Sequence, residues 1–231
     1  AITVLFGAGL AMGFAGSPDR ADQAKTMIAA GSVLGMIVVA VLGALVMTGE
    51  YASGQIRSSM MAVPRRGRLF AAKALVGSAF SFVLGVLSVA LAYAASYPFM
   101  KGHAGSLTDA HYLGLFWGTG LSFAIISLMA QGVGHLTRST AGAITVVVSV
   151  LFVVPLPFQM MAGHWQWANK VLGLLPDTLS TAVSDPFSLA TQWGQAGTAT
   201  FLQHWQAVAV FAAWAIIPMV IAAVVFIRRD A

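Results

Sequence analysis

The chain has 231 residues, of which 58% are apolar and only 8% carry a charge. Its mean hydropathy of +0.84 is too high for a protein whose whole surface faces water, so a soluble globular domain is excluded. The composition indicates an integral membrane protein. Cysteine is absent, which excludes a disulfide framework and thiolate metal ligands.

Uncharged apolar runs predict the transmembrane helices, because about 20 helical residues cross roughly 30 Å of hydrocarbon. Five runs reach this length, at residues 27–47, 74–97, 113–134, 141–161 and 206–227. The opening run, residues 1–16, is slightly short, and we interpret it as the outer part of a truncated first helix. The prediction is one all-α transmembrane domain, residues 1–231, with six spans.

The predicted spans carry small residues at intervals that suit close helix packing, which matters because lipid provides no hydrophobic drive for helices to associate. The sets are Gly31, Gly35 and Gly43 in the second span, Gly77, Ser81 and Gly85 in the third, and Gly114, Gly118 and Ser122 in the fourth. No span centre contains Asp, Glu, Lys or Arg. This pattern disfavours ion pumps, voltage sensors, proton-coupled carriers and membrane-embedded enzymes, which usually keep an ionisable residue at membrane depth.

The basic residues predict the orientation, since short loops rich in Lys and Arg stay in the cytoplasm. Six spans place residues 48–73, residues 135–140 and the C-terminal tail on one side, with a net charge of +6, and leave −1 on the other side, which together give the chain's +5. We therefore predict a multi-pass protein of a bacterial cytoplasmic membrane with its C-terminus inside. The positive charge is explained by topology, and no nucleic-acid partner is expected.

Residues 163–205, before the sixth span, form a long outer segment. It contains the tryptophans Trp165, Trp167, Trp193 and Trp205 together with two prolines, Pro176 and Pro186. Indole rings favour the headgroup layer, so we predict short interfacial or re-entrant helices. The segment is either a cap over an exit path or a solvated loop with membrane anchors.

A search for catalytic and cofactor motifs finds no GxSxG elbow, no HExxH and no GxxxxGK[ST] phosphate loop. His103, His111 and Asp109 share an outer loop, but an ordinary interfacial loop is a better interpretation than a metal site. We expect no catalytic, cofactor-binding or metal-binding residues and no enzyme activity of its own. If ATP drives this protein, another chain must bind it.

The segment 48–73, between the second and third predicted spans, is basic and compatible with a short amphipathic helix. Glu50, Gly54, Arg57 and Met61 recur at helical spacing, and Pro64 would end the helix. Two interpretations stay open: a helix that grips a partner, or a juxtamembrane basic patch that holds anionic lipid headgroups.

The sequence GEYASGQIRSSMMAVPRRGRLFAAK, residues 49–73, resembles the signature that follows the second span of type 2 ABC transporter permeases. In that signature a Glu, an aromatic residue, a Gly, an Arg or similar residue, a Pro, further basic residues and a Lys follow in order. The matching positions are Glu50, Tyr51, Gly54, Arg57, Pro64, Arg66 and Lys73, and the closing RRDA, residues 228–231, is also similar to the family's end.

The resemblance implies a permease subunit of an ABC exporter that pairs with a second permease, identical or not, and with two ATPase subunits that bind ATP and Mg²⁺. Residues 50–62 would form a cytoplasmic coupling helix seated in the ATPase, with Glu50, Tyr51, Gly54, Arg57, Ser58 and Met61 as the coupling residues. The substrate path would lie between the permeases and be lined by the second and fifth spans, where the candidates are Gly35, Val39, Thr145, Ser149 and Phe152.

An apolar path with a few hydroxyl groups suits an amphipathic or lipophilic cargo, such as a drug, an antibiotic, a peptide or a lipid. A different interpretation is a non-transporting immunity or scaffold subunit that binds an antimicrobial peptide with its outer segment. Dependence on an ATPase partner distinguishes the two.

Overall fold

The structure, a computed structural model, describes residues 2–14, 27–28, 30–54, 66–99, 110–162, 164–184 and 202–228. Helices account for nearly all of these residues, and none of them belongs to a β-strand. The predicted all-α class is therefore confirmed.

The helices in chain order are α1 (Ile2–Phe14), α2 (Ser32–Ser53), α3 (Arg66–Ser96), α4 (Ala110–Thr137), α5 (Thr140–Val148), α6 (Pro155–Ala162), α7 (Gln166–Leu172), α8 (Pro176–Ser184) and α9 (His204–Arg228). A 3₁₀ turn, Tyr97–Phe99, follows α3, and a short π-helix, Ser149–Val153, joins α5 to α6.

Among the described residues, five helices are long and apolar enough to cross a membrane: Ser32–Tyr51, Gly67–Phe99, Ala110–Thr137, Thr140–Ala162 and His204–Phe226. They correspond to the five complete spans of the sequence prediction. The apolar helix Ile2–Gly13 lies where the first span is predicted but is shorter. The count of six spans therefore stays a prediction.

Helix α4 forms the centre of the bundle and packs against α2, α3, α5, α8 and α9. Small residues allow the close approach, since a Cβ on Gly43 of α2 would lie 2.6 Å from the Ser127 carbonyl oxygen of α4. The main hydrophobic core surrounds Phe123 and Ile126 of α4 and includes Phe211 of α9. This central position explains why α4 buries polar side chains that a lipid-facing helix would not carry.

The span Thr140–Ala162 is interrupted near its middle, where the amide of Val154 donates a hydrogen bond to the Ser149 carbonyl, five residues earlier, at 2.8 Å. The next residue, Pro155, has no amide proton, and its ring would clash with the carbonyl four residues before it. A local π-helix accommodates such a proline and shifts the register of the helix.

Candidate functional site

The ends of α2, α3, α4 and α9 meet at one end of the bundle, which we call the basic end. Helix α2 reaches it at Glu50 and stops at Ser53, because Gly54 adopts a left-handed conformation with φ 70°. The chain re-enters the described part of the structure at Arg66, where α3 begins. Helix α2 (Ser32–Ser53) therefore begins and ends later than the predicted span 27–47, and α3 (Arg66–Ser96) begins well before the predicted span 74–97 and ends one residue short of it.

The predicted coupling residues fall on both sides of this boundary. Glu50 and Tyr51 belong to the last turns of the span helix α2, and Gly54 ends it. Arg57, Ser58 and Met61 lie outside the described residues, as does the rest of the predicted coupling helix.

An ion pair ties α2 to α3 at the basic end. The Lys73 ammonium of α3 contacts the Glu50 carboxylate of α2, and the two side chains are 18% and 24% exposed, respectively. Partial burial weakens screening by salt, so this pair restrains the two helices more than a fully solvated pair would.

His135, in the last turn of α4, connects α2, α3 and α9. Its ring stacks on Phe70 of α3 with the ring centres 4.8 Å apart, and it lies 5.3 Å from the ring of Phe226 in α9. Its Nδ1 atom is 3.3 Å from the hydroxyl oxygen of Tyr51 in α2, within hydrogen-bonding distance. His135 is 7% exposed, so these contacts form in a largely dry site.

The turn between α4 and α5 packs onto the same tyrosine. The guanidinium of Arg138 lies 5.7 Å from the centre of the Tyr51 ring, a cation–π distance. Arg138 has φ 52°, a conformation that few non-glycine residues adopt. Ser139 then caps α5 by accepting a hydrogen bond from the Gly142 amide at 3.2 Å.

A further contact at this end joins α2 to α5, where the hydroxyl oxygens of Thr48 and Thr140 are 2.5 Å apart. The exposed residues Arg68 and Arg138 add positive charge, and Glu50 is the one acidic residue at this end within the described ranges. The basic end is therefore positively charged, and non-covalent side-chain contacts connect its helices.

The predicted path residues do not share one surface. Gly35 and Val39 of α2 are buried inside the subunit, and a Cβ on Gly35 would collide with the Phe123 ring of α4. Thr145 of α5 is exposed, whereas Ser149 and Phe152 are half-buried within the π-helix. The structure thus places α2 and α5 side by side, but only the candidates in α5 and the π-helix are exposed or half-buried in the single chain.

At the opposite end, the short helix α8 is inserted into the bundle. Its residues Leu179, Ala182 and Val183 are fully buried. The Ser122 hydroxyl of α4 donates to the Ser180 carbonyl at 3.2 Å and accepts from the Ser184 hydroxyl at 3.1 Å. The outer segment therefore includes a helix that belongs to the core.

The approach of α8 to α4 depends on Gly118, because a Cβ there would lie 2.8 Å from both the Cα and the carbonyl oxygen of Ser184. The indole of Trp214 in α9 holds the chain just before α8 by donating to the Leu174 carbonyl at 2.9 Å. In the first turn of α8, burial raises the pKa of the Asp177 carboxyl above its ordinary value.

An apolar groove of about 470 Å³ lies between α4, α5 and α9. Its lining includes Met129 and Val133 of α4, Val147 of α5, Val150 of the π-helix, and Trp214 and Pro218 of α9. The volume falls in the range of pockets that hold small molecules, and such pockets are mostly apolar.

Sequence reasoning missed the role of His135, the insertion of α8 and the groove. Gly118 and Ser122 carried a signal for close packing of α4, but hydropathy does not identify the partner of a helix that is apolar on all sides. In the described part of the chain, no three His, Cys, Asp or Glu residues cluster closely enough to hold a metal ion.

In a comparison with known protein families, the family model described as ABC-2 family transporter protein matches residues 7–231. Comparison with curated proteins and with solved structures gave no match.

Proposed function

Because the chain belongs to the ABC-2 family of transporter proteins, we propose that this membrane permease subunit works in an ATP-driven exporter. The family match over nearly the whole chain carries the proposal. Residues 1–231 contain no phosphate-binding loop, and the resemblance to ABC permeases implies that ATP and Mg²⁺ are bound by ATPase subunits. The chain itself performs no catalysis.

The ATPase docks at the basic end, which faces the cytoplasm of a bacterial cell together with the C-terminus. Two observations support this assignment. The excess of Lys and Arg follows the rule for cytoplasmic loops, and the Glu50–Lys73 ion pair links the helices on both sides of the predicted coupling segment. A partner that moves residues 54–65 therefore displaces α2 and α3 together.

The exported cargo is amphipathic or lipophilic. The groove between α4, α5 and α9 is lined by apolar side chains, which favours a lipophilic guest over a hydrated ion. The interiors of the described spans contain no charged residue to accompany an ion. Efflux of a small inorganic cation, with no movement of a lipophilic dye such as rhodamine 6G, would contradict this substrate class.

Two permease copies enclose the path. The exposed side of the fifth span supports this arrangement, since Thr145 is exposed and its neighbour Val146 is 44% exposed. A cysteine at Thr145 should form a disulfide between copies under oxidation, whereas a cysteine at Leu87, an exposed position of α3, should not. Equal yields at both positions would contradict the proposed interface.

Cross-linking to the ATPase tests the central proposal. The chain has no cysteine, so Ser58→Cys gives a single reactive site in the coupling segment, and Trp165→Cys gives a matched site at the opposite end. With the cognate ATPase co-expressed, we expect the first variant to capture it and the second not to. Failure of a correctly inserted Ser58→Cys variant would favour the immunity or scaffold function instead.

A further inference from the structure

Four helices that are distant in sequence meet at a single side chain of the basic end, His135. Its ring packs between Phe70 of α3 and Phe226 of α9, while its Nδ1 atom faces the Tyr51 hydroxyl of α2. Each of these contacts joins α4 to a different helix. Through these contacts, a displacement of one helix end changes the packing of the other three.

Stability alone would favour an apolar aromatic residue over histidine at position 135. The Nε2 atom of His135 is buried, and it has no hydrogen-bond partner among the residues that the structure describes. An unpartnered buried polar atom is costly, whereas a phenylalanine ring would make the same stacking contacts without that cost. What phenylalanine would lose is the hydrogen bond to Tyr51.

We propose that His135 is a positioning residue for coupling, which uses its hydrogen bond to Tyr51 to transmit movement of the α2 end into α3, α4 and α9. Tyr51 is the residue that responds to the ATPase, because it belongs to the predicted coupling segment, residues 48–73, and lies three residues before Gly54, which ends α2. The inference rests on the proposed function, in which an ATPase moves that segment.

Besides His135, Arg138 also contacts the Tyr51 ring. Its guanidinium packs over the Tyr51 ring while the His135 ring approaches the ring edge, with the centres 5.9 Å apart and the planes at 88°. The phenol is thus held from two sides by residues of the α4–α5 turn region. Its hydroxyl pairs with the Nδ1 atom of His135.

The test is a double-substitution cycle in the intact complex. Tyr51→Phe and His135→Phe each remove one partner of the hydrogen bond and keep the aromatic ring. The permease and its cognate ATPase are reconstituted in vesicles of phosphatidylethanolamine and phosphatidylglycerol, and the rate of ATP hydrolysis is compared with that of the ATPase alone.

We expect each single variant to lower the stimulation of hydrolysis by about threefold, the factor that corresponds to one interhelical hydrogen bond in a membrane. The double variant should be no worse than either single variant, because both remove the same bond. Matched controls are Tyr97→Phe and His204→Phe, which lie at the opposite end and should retain wild-type stimulation.

Wild-type stimulation in both single variants, or additive losses in the double variant, would overturn the role of His135 while leaving the proposed function intact. If the wild-type permease neither binds nor stimulates the ATPase, the proposed function is wrong, and the coupling role of His135 falls with it.

Discussion

The substitution Gly118→Ala tests the close contact between α4 and α8. The added Cβ meets backbone atoms of Val183 and Ser184 rather than flexible side-chain ends, so α8 has to move away from α4. Overpacking of this kind costs about 1–3 kcal/mol. The shift also breaks two hydrogen bonds to Ser122, at about 0.6 kcal/mol each within a membrane protein. The expected loss is about 2–4 kcal/mol.

For a chain of this length, that loss lowers the unfolding temperature by about 5–15 °C. Thermal unfolding of the purified protein in detergent, followed by tryptophan fluorescence, measures the shift. The control is Gly9→Ala, where no atom of the described residues lies within 4 Å of the new Cβ, and alanine there should be neutral or slightly stabilising. A Gly118→Ala variant that unfolds at the wild-type temperature would refute the inserted position of α8.

Three other substitutions address single features of the structure. Arg138→Gly should be more stable than Arg138→Ala by about 1 kcal/mol, because both lose the cation–π contact but only glycine relieves the left-handed backbone; equal unfolding temperatures would contradict that strain. Glu50→Ala should lower the stability of the protein by about 1–3 kcal/mol, since it leaves Lys73 partly buried and unpaired. The same substitution should reduce ATP-driven export more than Glu50→Gln does. Unchanged export would show that Glu50 is not a coupling residue. Asp177→Asn should raise the unfolding temperature at pH 7 and have less effect toward pH 4. Burial raises the pKa of Asp177, so the stability of the wild-type protein is greatest below about pH 4 and falls as the pH rises through that raised pKa. A difference in unfolding temperature that is constant across this pH range would exclude the titration of Asp177.

The spans were predictable from sequence because length and apolar composition alone define a helix that crosses a membrane. The five complete spans follow from uninterrupted apolar runs, and the break within Thr140–Ala162, seen in the structure, has a local cause in Pro155. Helix ends were less predictable. Helix α2 continues through Glu50 and Tyr51 because its polar end is paired by Lys73 and His135, residues that lie far along the chain.

The faces of the spans were not predictable in the same way. Gly35 and Val39 are buried against α4, although Val38 beside them is 44% exposed, and all three residues are compatible with lipid or with a core. In a soluble helix a polar face would distinguish these positions, but a membrane helix has no such contrast. The joint at His135 depends on four helices at once, and local sequence does not encode such a convergence.

The Glu50–Lys73 contact has a mechanical consequence. It closes the base of the segment that leaves α2 at Gly54 and enters α3 at Arg66. The ion pair fixes the distance between the end of α2 and the beginning of α3, so a displacement of either helix is transmitted to the other.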